Sequence, residues 1–327
     1  MKAGWCIAVA ILTSLLGVTT VAVGEQKSSC TIYVESGEPI QEAIDQAPEG
    51  AVICLAPGIW RENLLITKNV SLRASILGTA TIWGNTQEPN TPVVRICAGE
   101  GVAPHQHAPY VVIENIVIAG SYGWSFGILV GIGAKARITN CVVAACGSGV
   151  CIEDAADAVL NGCVIIGNRL IPDPNFIGDG VGIWLWGSAM AVIQECTILQ
   201  NGNDGIKASD NSKVTIVDCT IDGNRFGIAL HDAVEAVIEQ NQIIRNYHYS
   251  IYLSEPPCYG GYQTDPHPRT FTGHIVGRAN IIPGPDEPGG NCWWEPSIGA
   301  CSSGFCPPDV DLAFLTSKEG GELDRRK

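Results

Sequence analysis

Hydrophobic and polar residues alternate in short segments along most of this chain, and the same segment returns at nearly constant intervals. Each unit begins with glycine or serine, followed by three residues of which the first and third are apolar. The units begin at Gly127, Gly149, Gly182, Gly205, Gly227 and Ser250, so successive starts lie 22, 33, 23, 22 and 23 residues apart. A fixed period of this length indicates a solenoid, in which each unit packs on its neighbours.

Alternation with a period of two predicts strands whose isoleucine and leucine side chains point inward. A unit of about 22 residues is too short for a helix pair and fits one coil of three short strands. A polar column recurs in register with these units: Cys146, Asn168, Asn201, Asn224 and Asn246. We expect the asparagine side chains to stack at a turn and to hydrogen-bond along the coil.

The repeat and its asparagine column resemble those of the right-handed parallel β-helix proteins, which include pectate lyases, polygalacturonases, alginate epimerases and NosD-like proteins. The resemblance extends over roughly residues 31–285. It implies an all-β fold, a single-stranded right-handed parallel β-helix, but not one activity, because one fold hosts many functions. The set of catalytic motifs typical of polygalacturonases is absent from the sequence. Asp265-Pro266-His267 resembles a motif of alginate epimerases but follows the repeats.

The two ends of the chain differ from the repeats. Residues 1–24 are predicted to be a secretory signal peptide, with Lys2, an apolar stretch over residues 7–16 and the cleavage site Ala22-Val23-Gly24. A membrane anchor is the alternative. Residues 25–290 are predicted to form the β-helix, capped by a short helix that begins at Pro39. Residues 291–327 are predicted to form a cysteine-rich C-terminal cap and a disordered tail.

The charge of the chain excludes one class of partner. It has 33 acidic and 19 basic residues, a formal net charge of −14, and cleavage of the signal peptide would remove one lysine more. Such a surface repels nucleic acid and acidic polymers unless a cation or a local basic patch intervenes. We therefore expect a secreted protein, extracellular or periplasmic, that is monomeric, binds a polysaccharide and has no stable membrane insertion after cleavage.

The cysteines fall into three groups. One inward repeat position holds Cys141, Cys163, Cys196 and Cys219. We expect these to be buried thiols, because parallel side chains on stacked strands have poor geometry for a disulfide. Cys30 and Cys54 lie on neighbouring early strands and are predicted to pair. Disulfides are also expected in the tail, among Cys258, Cys292, Cys301 and Cys306.

Alternation also predicts which first-strand residues face solvent. One outward column contains Cys151, Trp184, Lys207, Ala229 and Tyr252, and the next contains Glu153, Trp186, Ser209, His231 and Ser254. The strand ends contribute Asp154, Gly187, Asp210, Asp232 and Glu255, and the preceding turns contribute Asp179, Asn203, Asp204, Arg225, Tyr247 and His248. Aromatic and charged side chains therefore gather on one face.

This composition suits a sugar, whose rings stack on aromatic side chains and whose hydroxyl groups need polar partners. The predicted substrate-binding residues are Trp184, Trp186, Arg225, Tyr252 and His248. The predicted catalytic residues are Lys207, Asp210, His231 and Asp232, although aspartate at a strand end is also a common turn residue. The resemblance to pectate lyases implies calcium as the one candidate cofactor, on Asp179 and Asp204.

Two functions remain open from the sequence. The first is a carbohydrate-active β-helix that binds a polysaccharide on the first-strand face, with cleavage as a lyase or glycoside hydrolase left undecided. The alternative is a non-catalytic, NosD-like scaffold of the envelope or cell surface.

Overall fold

The computed structural model describes residues 30–85, 87–88, 90–98, 108–121, 125–169, 180–253, 271–282 and 315–324. Within these residues the chain winds into a coil whose strands form three sheets, named here by the order of their strands in each repeat. Every strand pairing is parallel except the last one in the second-strand sheet. The predicted solenoid of short strands is confirmed.

The first-strand sheet contains β4 (Leu64–Ile66), β7 (Val94–Ile96), β10 (Phe126–Val130), β13 (Ser148–Ile152), β16 (Ile183–Leu185), β19 (Asp204–Ala208), β22 (Phe226–Leu230) and β25 (Tyr249–Leu253). The third-strand sheet contains β3 (Gly58–Arg61), β6 (Ala80–Trp83), β9 (Ile116–Ala119), β12 (Val142–Ala144), β15 (Val164–Ile166), β18 (Thr197–Leu199), β21 (Thr220–Asp222) and β24 (Gln242–Ile244).

The second-strand sheet is the longest and runs from one end of the coil to the other. It contains β1 (Ile32–Val34), β2 (Ala51–Leu55), β5 (Val70–Ala74), β8 (Tyr110–Glu114), β11 (Lys135–Thr139), β14 (Asp157–Asn161), β17 (Met190–Gln194), β20 (Lys213–Val217), β23 (Glu235–Glu239), β26 (His274–Arg278) and β27 (Gly321–Asp324). Equivalent inward residues of successive coils lie directly above one another, as in the stack Ile138, Leu160, Ile193, Ile216 and Ile238. These stacks form one continuous apolar core.

The glycine that begins each unit is required by packing. A Cβ atom at Gly182 would lie 2.4 Å from the carbonyl oxygen of Gly205 and 2.8 Å from the Nδ2 atom of Asn201. Gly205 and Gly227 are equally crowded by the next coil. A side chain at this position would therefore force neighbouring coils apart.

The predicted asparagine ladder is confirmed. The side-chain amide of Asn168 donates to Oδ1 of Asn201 at 3.0 Å, Asn201 donates to Asn224 at 3.0 Å, and Asn224 donates to Asn246 at 3.2 Å. All four side chains are buried. Each Oδ1 also accepts from the backbone N–H of the residue one coil earlier, as Asn168 does from Cys146 at 3.1 Å. The ladder thus pairs polar groups that water cannot reach.

The cysteine predictions are confirmed wherever the structure describes the residues. Cys30 and Cys54 form a disulfide. The four inward cysteines of the repeats are buried free thiols. The cysteines predicted to bridge the tail lie outside the described residues.

The two ends of the coil are closed by different elements. Helix α1 (Ile40–Gln46) begins directly after Pro39 and buries Ile40 and Ile44, as predicted. At the other end β27 pairs antiparallel with β26, where the sequence analysis expects a disordered tail. This strand covers the edge of β26, whose backbone would otherwise present unpaired hydrogen-bonding groups. The predicted signal peptide lies outside the described residues, and within those described no helix is long and apolar enough to span a membrane.

Candidate functional site

Between β2 and β26, every connection longer than five residues begins or ends at the first-strand sheet, whereas residues 35–50 and 279–320 join strands of the second-strand sheet at the two ends of the coil. The long connections entering the first-strand sheet comprise residues 84–93, 120–125 and 167–182, and those leaving it comprise residues 97–109 and 254–273. From β8 onward, the turns between the second-strand and third-strand sheets contain only one or two residues. Inserted segments often build binding sites on a rigid scaffold. The lengths of the connections therefore single out the first-strand sheet.

Strand register aligns the first predicted outward column, but Cys151 and Ala229 are each only 1% exposed, so the expectation that these two face solvent is wrong. Cys151, Trp184, Lys207, Ala229 and Tyr252 are direct neighbours on five successive strands. The Nζ atom of Lys207 lies 5.1 Å from the ring centroid of Trp184, within range of a cation–π interaction. Trp184 and Tyr252 are half-buried rather than fully exposed. The second column also lies in register. Leu185 and Leu230 occupy equivalent positions on their strands, so Trp186 and His231, which directly follow them, are equivalent as well.

A further outward column was missed by the sequence analysis. Phe126, Phe226 and Tyr249 immediately precede the first residue of their units, where strict alternation assigns them to the interior. The first glycine of the unit is crowded by the asparagine ladder, which shows that the glycine position faces inward. The residue directly before the glycine therefore points to the outer face. The Phe126 ring lies 6.4 Å from that of Trp184. The feature of the sequence that could have revealed this column is the aromatic residue directly before the first residue of the unit.

Aromatic rings form a cluster at the C-terminal end of this face. The Phe226 ring lies 5.1 Å from Tyr252, 5.9 Å from Tyr249 and 5.4 Å from His248. The guanidinium carbon of Arg225 lies 5.1 Å from the Phe226 centroid. The His231 ring meets Tyr252 edge-on at 5.9 Å. Three residues predicted from the sequence, Arg225, His248 and Tyr252, therefore surround one ring, Phe226, that was not predicted, and His231 joins the cluster through Tyr252.

Three polar atoms on this side of the coil have no hydrogen-bond partner among the described residues. They are the hydroxyl Oγ of Ser125, the indole Nε1 of Trp184 and the side-chain Oδ1 of Asn203, all shielded from solvent. Buried polar atoms are normally paired, so each such atom requires an explanation. An indole donor, an amide acceptor and a hydroxyl that can do either therefore remain on this side of the coil for a polar ligand.

The strand-end aspartates hydrogen-bond to the backbone of the turn. Asp210 Oδ2 accepts from the Gly187 N–H at 2.9 Å, and Asp232 Oδ2 accepts from the Asp210 N–H at 3.1 Å. Asp210 and Asp232 have positive φ angles of 63° and 55°, a conformation that aspartate tolerates in turns. These contacts give both carboxylates a structural task. Their catalytic role stays a prediction.

Comparisons with known proteins agree with this architecture. Residues 102–256 match a family model described as a right handed beta helix region. The fold is a right-handed parallel β-helix. Among solved structures, an alginate lyase from Paenibacillus sp. str. FPU-7 is similar, with 15% identity and a TM-score of 0.55 over 76% of this chain and 85% of the lyase.

A second similar structure is ORF18 of Geobacillus virus E2, with 14% identity, a TM-score of 0.51 and coverage of 75% of this chain. This chain spans 61% of the length of the viral protein. At such identities the likeness shows the fold alone. No curated protein sequence matches the chain.

Glu153 is an acidic residue of the β-helix face to which the sequence analysis assigns no role. It lies at the end of β13, one position beyond the pairing of Ile152 with Leu185, and therefore beside Trp186. Partial burial raises the pKa of the Glu153 carboxyl, and the charge of Arg95 opposes this shift. A Cβ atom at Gly131 would lie 3.5 Å from Glu153 Oε2, so the absent side chain leaves this carboxylate room. Gly131, in the preceding coil, was the feature of the sequence that could have pointed to Glu153.

The described residues of the β-helix do not form a calcium site. Asp204 pairs in register with Phe226 and is buried, with 4% of its surface exposed. Its predicted partner, Asp179, lies outside the described residues. In the part of the chain that the structure covers, no three His, Cys, Asp or Glu side chains are grouped to hold a metal ion. Calcium binds six to eight oxygen atoms, so one buried carboxylate does not meet its requirement.

Proposed function

We propose that this β-helix binds a polysaccharide along the outer face of its first-strand sheet. The observation that carries the proposal is the row of rings with interspersed cations on that face: Lys207 against Trp184, and Arg225 against Phe226. Aromatic rings supply flat apolar surface with little loss of conformational freedom on binding. Cations and unpaired polar atoms beside them suit hydroxyl or carboxylate groups of a sugar.

The geometry of the coil fixes the direction of the proposed ligand. Trp184 and Tyr252 occupy the same column three strands apart. Strands in a sheet lie about 4.8 Å apart, so the two rings are separated by about 14 Å along the coil axis. A linear glycan of several sugar units, running parallel to that axis, would contact both. A monosaccharide would reach only one.

The similar alginate lyase, by its name, acts on a polysaccharide, and the proposal extends that class of ligand to this chain. The two proteins share a fold at low identity, so the support is general. The residues that carry the proposal are this chain's own. Trp186 and His248 flank the two ring clusters and belong to the same proposed surface.

The binding test compares Trp184→Ala and Tyr252→Ala with the parent protein by calorimetry against a panel of neutral and acidic oligosaccharides. Each substitution should weaken binding by about ten-fold, because one stacked ring contributes about 1–1.5 kcal/mol beyond its buried area. Tyr110→Ala is the matched control, since Tyr110 is an exposed aromatic residue on the second-strand sheet. Equal affinity in all three variants, or no binding by the parent, would contradict the proposal and favour the NosD-like scaffold.

Cleavage is a second candidate, favoured by the position of Glu153. A carboxyl group whose pKa is raised by burial is suited to act as a general acid, and Glu153 lies beside Trp186 on the proposed binding face. Lys207 and His231 lie on the same face and are the candidate bases.

The test for cleavage uses Glu153→Gln, which keeps the shape of the side chain but removes its titrating proton. Turnover should fall by about a hundred-fold or more, while oligosaccharide affinity stays within two-fold of the parent. Lys207→Met should lose turnover to a similar extent if Lys207 is the base. Absence of turnover in the parent, with binding retained, would eliminate cleavage and leave the binding proposal intact.

A further inference from the structure

The second-strand sheet presents a flat outer face that no other described element covers. Seven neighbouring strands, from β8 to β26, are in direct register. The central outward position of each strand holds, in order, Val112, Arg137, Val159, Val192, Thr215, Val237 and Val276. Five of the seven are valine, so a stripe of branched apolar side chains runs along the coil.

Apolar side chains in the middle of this face are exposed to solvent. Val192 and Met190 on β17 are exposed by 38% and 44%. From β10 to β23, the turns leading from the first-strand sheet to this one contain four residues each, without insertions. Apolar side chains stacked in register on a flat sheet favour packing against a second sheet about 10 Å away.

Charged residues flank the stripe in a pattern that is symmetric about β17 but opposite in sign. The first outward position holds Lys135 on β11, Asp157 on β14, Lys213 on β20 and Glu235 on β23. Positions equally distant from β17 thus have opposite charges. The third outward position has the same opposite charges on the two outermost strands, with Glu114 on β8 and Arg278 on β26.

We propose that this face binds a second copy of the same chain, with the two coils antiparallel and a two-fold axis parallel to β17. Rotation about that axis keeps each column opposite itself and reverses the order of the coils. Lys135 then lies opposite Glu235 of the partner, and Asp157 opposite Lys213. Val192 meets its own equivalent at the centre. All four charge pairs of the first column are attractive.

The alternative dimer, with parallel coils, is disfavoured by the same residues. Its two-fold axis runs along the coil, so the first position of each strand would oppose the third position of the same strand. Glu235 would then lie against Glu239 of the partner, a repulsive pair. Within one chain Lys213 already contacts Glu235 at 2.9 Å, so the antiparallel dimer extends an existing ion pair into a network.

The size of the face indicates a weak dimer. Six spacings of about 4.8 Å give a length of about 29 Å, and four steps of about 3.3 Å give a width of about 13 Å. Such a footprint, about 380 Å² on each partner, is smaller than that of standard specific interfaces, so we expect a transient dimer with a dissociation constant in the micromolar range or weaker. The monomer expected from the sequence would then dominate only in dilute solution.

The first test is sedimentation velocity of the full chain from about 1 μM to about 500 μM, a range that covers weak association. The parent should shift from monomer to dimer. Val192→Arg should remain monomeric, because two arginines would meet on the axis. Val164→Arg is the matched control on the third-strand sheet and should dimerise like the parent. A parent that stays monomeric, or equal loss in both variants, overturns the proposal.

A charge exchange tests the antiparallel arrangement separately. Asp157→Lys and Lys213→Asp should each weaken the dimer by about ten-fold, because symmetry breaks the contact twice. Combining them restores opposite charges and should recover the parent's dissociation constant within about three-fold. Additive weakening in the double variant would overturn the antiparallel arrangement.

Covalent trapping provides a readout that does not depend on a disruptive substitution. Val192→Cys should give a dimer crosslinked by a short bifunctional thiol reagent, since its equivalent lies across the axis and sheets about 10 Å apart hold the two Cα atoms too far apart for a disulfide. Val164→Cys, on the third-strand sheet, should not. Absence of the Val192→Cys crosslink at concentrations where the parent is dimeric would place the interface elsewhere and overturn the proposal.

Discussion

The thiol of Cys141 illustrates how burial controls a single side chain in this coil. Its Sγ donates to the carbonyl oxygens of Thr139 and Ile113 at 3.3 and 3.5 Å, and burial raises its pKa to about 12. The neutral thiol is therefore the form that the core accepts. At pH 8 we expect thiol reagents to label Cys97, which is partly exposed, before any of the four stacked cysteines. Mapping of a Cys141–Cys163 disulfide by mass spectrometry would contradict this.

The raised pKa of Cys141 also predicts a pH dependence of stability. Between pH 9 and about 12 the unfolded chain loses the thiol proton while the folded chain keeps it, so stability falls as pH rises. From pH 8 to pH 10 the parent should lose roughly 1.4 kcal/mol more unfolding free energy than Cys141→Ala. Urea unfolding of both proteins at the two pH values measures this. Equal losses would show that Cys141 does not titrate on unfolding.

At the scale of one turn, the asparagine ladder and the glycine beside it act together. Asn201 accepts from the backbone N–H of Asn168 at 3.2 Å and donates to Asn224. Asn201→Ala would leave buried polar groups unpaired and should cost about 3 kcal/mol of unfolding free energy. The exposed Asn211→Ala is the matched control and should cost less than about 0.5 kcal/mol. Comparable losses in chemical denaturation would contradict a special role for the ladder.

Two glycine substitutions separate crowding from backbone strain. Gly182→Ala places a Cβ atom against Gly205 and Asn201, whereas Gly167→Ala meets nothing within 4 Å but holds a φ of 63°. We expect Gly167→Ala to cost about 1 kcal/mol, the price of a left-handed alanine. Gly182→Ala should cost more, because the neighbouring backbone must move. The reverse order in thermal melting would show that crowding is relieved by local adjustment.

The elements of this fold could be predicted from the sequence because every repeat has the same order of inward and outward residues. The capping helix at Ile40–Gln46, the ladder and the stacked thiols all follow from periodicity. The outward position of Phe226 and Tyr249 could not be predicted in this way. Two successive residues after Phe226, Gly227 and Ile228, both face inward and interrupt the period of two. Strand β27 also lacks a repeat and pairs with an edge far away in sequence. The pattern of apolar residues predicts the local periodicity of a strand. Irregularities within a strand and the pairing of edge strands depend instead on tertiary contacts.

As a whole molecule, a solenoid has stability that is shared between neighbours rather than distributed over one compact core. Each coil contacts only the coils above and below it, so the exposed ends are where unfolding should begin. Leu315 closes the C-terminal end: it is fully buried, and its backbone oxygen accepts from Asn280. Its side chain packs against Gly277 on β26, where no Cβ atom would fit.

Leu315→Asp should therefore open the coil from this end. A carboxylate replaces a buried leucine, so it must either remain charged in the core or expose the last coil to water. Hydrogen exchange measured by mass spectrometry should accelerate in β25 and β26, with β5 and β8 unchanged, because the disturbance passes only between adjacent coils. Leu65→Asp is the matched control, since Leu65 is 44% exposed on β4. Acceleration spread evenly over all coils would instead show that the β-helix unfolds as one cooperative unit.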